Sequence, residues 1–442
     1  MNGSRALLCA GLVAFAGCGG SGAGATDDPA PGAAPGGNSG TVDNPGAGSG
    51  STPPRSPIAG DTGGGSSGGS SGGSSGGSSG GSSGGDPVSQ PPAEVCPSQA
   101  GFTFGAPMDA PVGKWTFVDF PESRCANGTP TGIGLNLSAT SDNVLIYLEG
   151  GGACFDFLTC ATVAHAGGFR ERDLEGSVGP LGQGIFRRDD PTNPVRDWSY
   201  VFVPYCTGDV HAGNEPRGSG NRAHVGFTNM TRYLERLVPT FPRAKRVLLS
   251  GSSAGGFGAA YNFDQVSRAF GCTPVDLLDD AGIPMSNEYL KPCLQTLWRE
   301  RWGLASTMMP DCPDCAPDQG GLVRAIAHIA KKYPKRRLGF LSASEDSIIR
   351  FFFGYGYSNT CSSPGSMSGS AFLSGLLDVR DDALAPYKNA GIYIVDGAQS
   401  TQHTFLGRPL GEASVGGTSL ATWIQRLVDG DAAWANAGPA GP

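Results

Sequence analysis

Val247-Leu248-Leu249-Ser250-Gly251-Ser252-Ser253-Ala254-Gly255-Gly256-Phe257-Gly258 decides how this chain folds. Its apolar start reads as a buried strand that stops at glycine. A serine follows, then glycines that lead into Ala259, Ala260 and Tyr261, which continue as helix. Strand, tight turn and helix around G-x-S-x-G are the context of a nucleophile elbow, with Ser253 at the apex. Such a turn is strained, and the backbone passes so closely on either side that Cβ atoms have no room.

The pattern by itself decides nothing here. Gly65-Ser66-Ser67-Gly68-Gly69 matches it too, and with 72 glycines in 442 residues chance matches are expected. The strand before and the helix after separate Ser253 from Ser67.

Working outward, residues 1–18 read as a signal peptide. Arg5 is the only charge, Ala6 to Ala16 is apolar, and the segment is too short to span a membrane. It ends Phe15-Ala16-Gly17-Cys18, a lipobox-like sequence that makes Cys18 a candidate for lipidation and membrane anchoring, although phenylalanine replaces the usual aliphatic residue. Residues 19–95 are rich in Gly, Ser, Pro and Asp, with an SGG repeat. They cannot bury a core and read as a disordered tether, reaching roughly 45–50 Å at about 5–6 Å times the square root of residue number. The expected location is outside the cytoplasm, on a bacterial cell envelope, facing periplasm or exterior.

Residues 96–442 read as one globular α/β domain. Strands are expected at Val144–Leu148, Tyr200–Pro204, Arg246–Ser250, Val275–Leu278, Leu338–Ser342 and Ile392–Val395, with helices at Thr231–Val238, Leu322–Lys332 and Ser419–Asp429. This alternation predicts a mostly parallel sheet flanked by helices on both faces. The net charge of −8 comes without a basic stripe, so nucleic acid is not expected as a partner. The twelve cysteines include one CxxC, Cys312 and Cys315, with no second pair or nearby histidine to complete a zinc site. Disulfides in an oxidising compartment fit better, and no metal or cofactor is called for.

A nucleophilic serine needs a base, and the base needs a carboxylate to orient it. Of five histidines, His328 sits in an apolar helix, His165 lies in a Gly/Ala loop, and His211 and His224 precede the serine. His403 follows the last predicted strand and alone fits the order serine, acid, histidine. For the acid, Asp346 ranks first, after the strand at Leu338. Its neighbour Glu345 competes, and Asp279, Asp280 and Asp396 also end strands. Oxyanion donors are expected from Ala254 and from the loop Leu148-Glu149-Gly150-Gly151-Gly152-Ala153. The run Phe351-Phe352-Phe353-Gly354-Tyr355 could line an acyl pocket, although core packing is the plainer reading.

Four stretches occur in order: Leu148-Glu149-Gly150-Gly151-Gly152-Ala153-Cys154-Phe155, Tyr205-Cys206-Thr207-Gly208-Asp209-Val210-His211-Ala212-Gly213, Gly251-Ser252-Ser253-Ala254-Gly255-Gly256 and Asp280-Ala281-Gly282. Together they resemble the pectin acetylesterase family, which takes in plant pectin acetylesterases and Notum-like carboxylesterases. The resemblance implies an α/β-hydrolase-like fold, a triad of Ser253, Asp346 and His403, and oxyanion donors at Gly151, Gly152 and Ala254. It also implies disulfides Cys154–Cys160 and Cys125–Cys206. Notum-like members carry tryptophan where this chain has Gly152, which points from long acyl chains toward acetyl esters. The implied activity is removal of O-acetyl groups from a polysaccharide such as pectin. The alternatives are a deacylase of longer acyl or polyester substrates, and a glycan-binding surface lipoprotein without turnover.

Overall fold

The computed structural model describes residues 96–162, 167–307, 309–358 and 360–441. The signal peptide, Cys18, the tether and His165 lie outside the described residues. Eight strands form one sheet: β1 (Thr116–Phe120), β2 (Thr131–Asn136), β3 (Asn143–Leu148), β4 (Ser199–Val203), β5 (Arg246–Ser252), β6 (Val275–Asp280), β7 (Leu338–Ala343) and β8 (Ala390–Val395). Their order is β1-β2-β4-β3-β5-β6-β7-β8. β1, β2 and β4 pair antiparallel, and every pair from β4 through β3 to β8 is parallel.

The α-helices among the described residues are α1 (Phe157–Thr162), α2 (Glu171–Leu181), α3 (Gly226–Thr240), α4 (Ala254–Phe270), α5 (Pro292–Trp302), α6 (Val323–Lys332), α7 (Ser347–Gly354), α8 (Gly369–Asp378) and α9 (Leu420–Asp429). Among the described residues no helix is long and apolar enough to cross a membrane. All six sequence-derived strands are present, shifted by a few residues at most. β1 and β2 were not anticipated. Thr131-Gly132-Ile133-Gly134-Leu135-Asn136 alternates only weakly, and its two glycines disguise a strand that is buried throughout.

The strands are apolar on both faces because both faces are covered. Val144, Ile146 and Leu148 of β3 and Val247 and Leu249 of β5 pack with α3, α4 and α6. Leu145, Tyr147 and Leu248 point the other way, into a second core with α2 and α9. The alternation follows from the two-residue period of a strand. Because the six parallel strands run the same way, the loops after β3, β5, β6, β7 and β8 all emerge at one edge.

Five disulfides join described residues: Cys96–Cys272, Cys125–Cys206, Cys154–Cys160, Cys293–Cys361 and Cys312–Cys315. These are the ten cysteines from Cys96 onward, and they include both pairings that the family resemblance implied.

Candidate active site

Ser253 sits between β5 and α4 with φ 59° and ψ −122°, in the left-handed half of backbone space where a serine is strained. Its amide donates to the carbonyl of Asp280 at 2.7 Å, and the amides of Gly256 and Phe257 donate back to its own carbonyl. The turn is therefore fixed from both sides. Gly255 allows it: a Cβ there would overlap the carbonyl oxygen of Leu148, so only glycine lets the start of α4 press against the end of β3.

Pressed against that turn is the loop after β3. Gly151, Gly152 and Ala254, the expected donors, are placed in the two adjoining segments. Gly152 has φ 81°, a conformation that side-chain-bearing residues rarely adopt, so glycine also serves the backbone here. Several contacts brace the loop. Tyr205 Oη donates to the Gly152 carbonyl at 2.9 Å, and the Tyr205 amide donates to Glu149 Oε2. Trp302 Nε1 donates to the Cys154 carbonyl at 2.8 Å, and Cys154 is bonded to Cys160.

His211 belongs to this bracing. Its Nε2 lies 2.8 Å from the Glu149 carbonyl, and burial pushes its pKa below the ordinary value, so it is held neutral. His224 is lowered by burial likewise, and its Nδ1 lies 2.7 Å from the Thr207 carbonyl. His328 lies on α6, 3.3 Å from Asp311.

His403 lies in the loop after β8, and its Nδ1 is 2.8 Å from Asp346 Oδ2. Asp346 is fully buried at the end of β7. Its two oxygens divide their work: Oδ1 accepts the amides of Ile348 and Ile349, capping α7, while Oδ2 faces the imidazole. With Nδ1–H donating to the carboxylate, Nε2 keeps its lone pair and can act as a base.

The competing acids are engaged elsewhere. Glu345 lies against Gly369. Asp396 Oδ1 accepts from Ser344 Oγ, and that contact is the main reason its pKa falls. Asp279 accepts from the Gly282 amide, and burial pushes it well above the usual carboxylate range. Asp280 is raised by burial, against the pull of donors from Ser252, Leu406 and Phe405.

A narrow cavity opens beside Ser253. Its wall is mostly apolar, with Ser253 and Tyr261 among the lining residues. Val210, Phe257, Trp298, Trp302, Ile349 and Phe353 line it, and so does Gly152. The Phe351–Phe353 run is split. Phe352 and Phe353 line the cavity, and Phe353 also packs wholly inside, whereas Phe351 is exposed. The tryptophans of α5 were not anticipated as cavity wall, because nothing local in Leu297-Trp298-Arg299 sets them apart from core residues.

A mostly parallel sheet covered by helices, with a strained serine turn after its central strand, defines an α/β-hydrolase-like fold. A pectinacetylesterase family model matches residues 110–308, which takes in Ser253 and the glycine loop but ends before Asp346 and His403. The palmitoleoyl-protein carboxylesterase notum1a of Danio rerio is 30% identical over 257 residues, 55% of this chain and 46% of the relative. The palmitoleoyl-protein carboxylesterase notum2 of Xenopus laevis is 33% identical over 176 residues, 38% of this chain and 35% of that one. The inactive palmitoleoyl-protein carboxylesterase notum1b of Danio rerio is 35% identical over 111 residues, 24% of this chain and 76% of its own. The chain thus spans about a third to a half of the length of the first two relatives. Among solved structures, the Wnt deacylase Notum from Drosophila is similar in fold, with TM-score 0.53 and 17% identity over 75% of this chain and 100% of that one. The chain belongs to the pectin acetylesterase family, which it shares with the Notum proteins.

Proposed function

We propose that this chain is a serine carboxylesterase. Ser253 Oγ attacks the ester carbonyl as His403 Nε2 takes its proton, and Asp346 holds and stabilises the imidazolium. The amides of Gly151, Gly152 and Ala254 receive the oxyanion. The alcohol leaves with the proton returned by His403. Water, deprotonated by the same imidazole, then cleaves the acyl-enzyme and restores Ser253. The observation that carries this reading is the His403–Asp346 pair, at 2.8 Å on a fully buried carboxylate, at the same sheet edge as the strained serine. A glycan-binding module would have no use for that pair. A fluorophosphonate probe tests the difference: labelling that is lost in Ser253→Ala supports the esterase, and folded protein that stays unlabelled favours the binder.

The apolar cavity suits a hydrocarbon acyl group, leaving the alcohol outside. With Gly152 in place of a bulky side chain in its wall, the acyl group is proposed to be acetyl and the alcohol a polysaccharide hydroxyl. The aromatic depth of the same cavity favours a second reading, longer acyl chains. Rates on p-nitrophenyl esters from acetate to palmitate separate the two. Acetate is expected to give the highest kcat/KM, by about tenfold or more over palmitate, because a chain longer than the narrow cavity must displace its packed side chains to enter, at a cost on the order of 1–3 kcal/mol. A maximum at long chains would reverse the assignment.

Five disulfides among the described residues suit an oxidising, extracellular setting. Export by the signal peptide and a lipid anchor at Cys18 complete the proposal. The mass of the exported protein is expected to include a thioether-linked diacylglyceryl group that Cys18→Ala lacks, and an unmodified wild-type mass would remove the anchor.

A further inference from the structure

The loop carrying His403 starts at β8, three strands from β5 in the sheet. At about 4.8 Å per strand the histidine must be returned across roughly 14 Å to serve Ser253. The contact with Asp346 accounts for one strand of that distance, because Asp346 follows β7. Something must bring the loop further, and Asp280 at the end of β6 is placed to do so.

Asp280 is fully buried. Its side chain accepts from the Phe405 amide at 2.9 and 3.1 Å, from the Leu406 amide at 3.0 Å, and from Ser252 Oγ at 2.6 Å. Its carbonyl accepts the Ser253 amide at 2.7 Å. One residue therefore holds the residue before the nucleophile, the nucleophile itself and the two residues that follow His403-Thr404. Tyr147 Oη donates to Ser252 Oγ at 2.8 Å, which leaves the Ser252 hydroxyl proton to point at Asp280. Every group facing the carboxyl is a donor, so the arrangement suits an acceptor and nothing else.

The held loop is not relaxed. Thr404 has φ 62°, an outlier for a β-branched residue. Strained backbone persists only where the surroundings over-determine it. The Asp280 contacts begin at the next residue.

We propose that Asp280 is a positioning residue for the esterase reaction proposed above, clamping the backbone that carries His403 to the backbone that carries Ser253. It touches no substrate and does not reach the imidazole as its acid partner. The inference rests on the triad reading and adds the element that makes the triad's geometry possible. The motif Asp280-Ala281-Gly282 thereby acquires a role.

The test compares Asp280→Asn and Asp280→Ala with wild type, Ser253→Ala and Asp276→Asn in the full-length protein. Asp276 is buried at the opposite end of β6, paired with Arg246 and accepting the Arg337 amide, and so reports plain loss of stability. Initial rates on p-nitrophenyl acetate give kcat and KM, and thermal unfolding gives Tm. A displaced histidine costs up to about a hundredfold in rate without touching the acyl pocket. Asp280→Asn is expected to lose about tenfold in kcat and Asp280→Ala about a hundredfold, each with KM within about twofold. Asp276→Asn is expected to lower Tm with kcat unchanged. Should the alanine variant fail to fold, the asparagine variant decides. The clamp is overturned if Ser253→Ala is inactive while a folded Asp280 variant keeps wild-type kcat. It is also overturned if the loss tracks Tm and is shared by Asp276→Asn. Equal rates for wild type and Ser253→Ala would instead remove the triad reading beneath it.

Discussion

Ser253→Ala is expected to lower kcat on p-nitrophenyl acetate by a factor on the order of 10⁴–10⁶, with the fold intact. The size follows from what is lost. Without Oγ no acyl-enzyme forms, and the oxyanion donors and binding alone leave only a weak general rate enhancement. The fold survives because serine at φ 59° gains nothing from its hydroxyl that alanine lacks: the hydrogen bonds that fix the turn are made by the Ser253 backbone amide and carbonyl. Steady-state rates beside a thermal melt check both halves. A folded Ser253→Ala that keeps more than about a tenth of the wild-type rate would reject Ser253 as nucleophile.

Asp346→Asn is the second large effect, and it separates chemistry from stability. Asparagine keeps an oxygen for the Ile348 and Ile349 amides, so the N-terminus of α7 stays capped. The other position becomes an NH₂ group facing His403 Nδ1. Two donors cannot share a hydrogen, so the imidazole must move its proton to Nε2 and is no longer a base toward Ser253. In Ser-His-Asp hydrolases that tautomer error costs about 10⁴ in kcat. The expected result is a loss of about that size, with Tm within a few degrees of wild type. A loss of tenfold or less would mean that another carboxylate supports His403. Asp280 would then be the first to test, because it holds the amides of Phe405 and Leu406 just beyond His403.

How much of this was legible in the sequence depends on whether the signal was local. The strands from β3 to β8 announce themselves because burial on both faces demands continuous apolar runs. Ser253 is marked by the glycines that its close approach requires, and His403 by its place after the last strand. Asp346 could only be ranked above its rivals, since five carboxylates end strands and sequence does not say which points at the imidazole. The antiparallel strands β1 and β2 were hidden by Gly132 and Gly134. The cavity wall was hidden for another reason: Trp298, Trp302, Ile349 and Phe353 come from segments far apart in the chain, and each alone looks like core. Asp280 was visible only as a competing acid, and the role proposed for it as a clamp was not. Apart from the Ser252 hydroxyl, its partners are backbone amides, which leave no trace in residue type.

The disulfide between Cys96 and Cys272 joins the start of the described chain to the turn just ahead of β6. That turn is at the rear of the sheet, away from the edge where Ser253, Asp346 and His403 emerge. A pull on whatever precedes Cys96 is therefore delivered through a covalent bond to a central strand from behind. The same bond ties Cys96 to the end of α4, the helix that begins at Ser253.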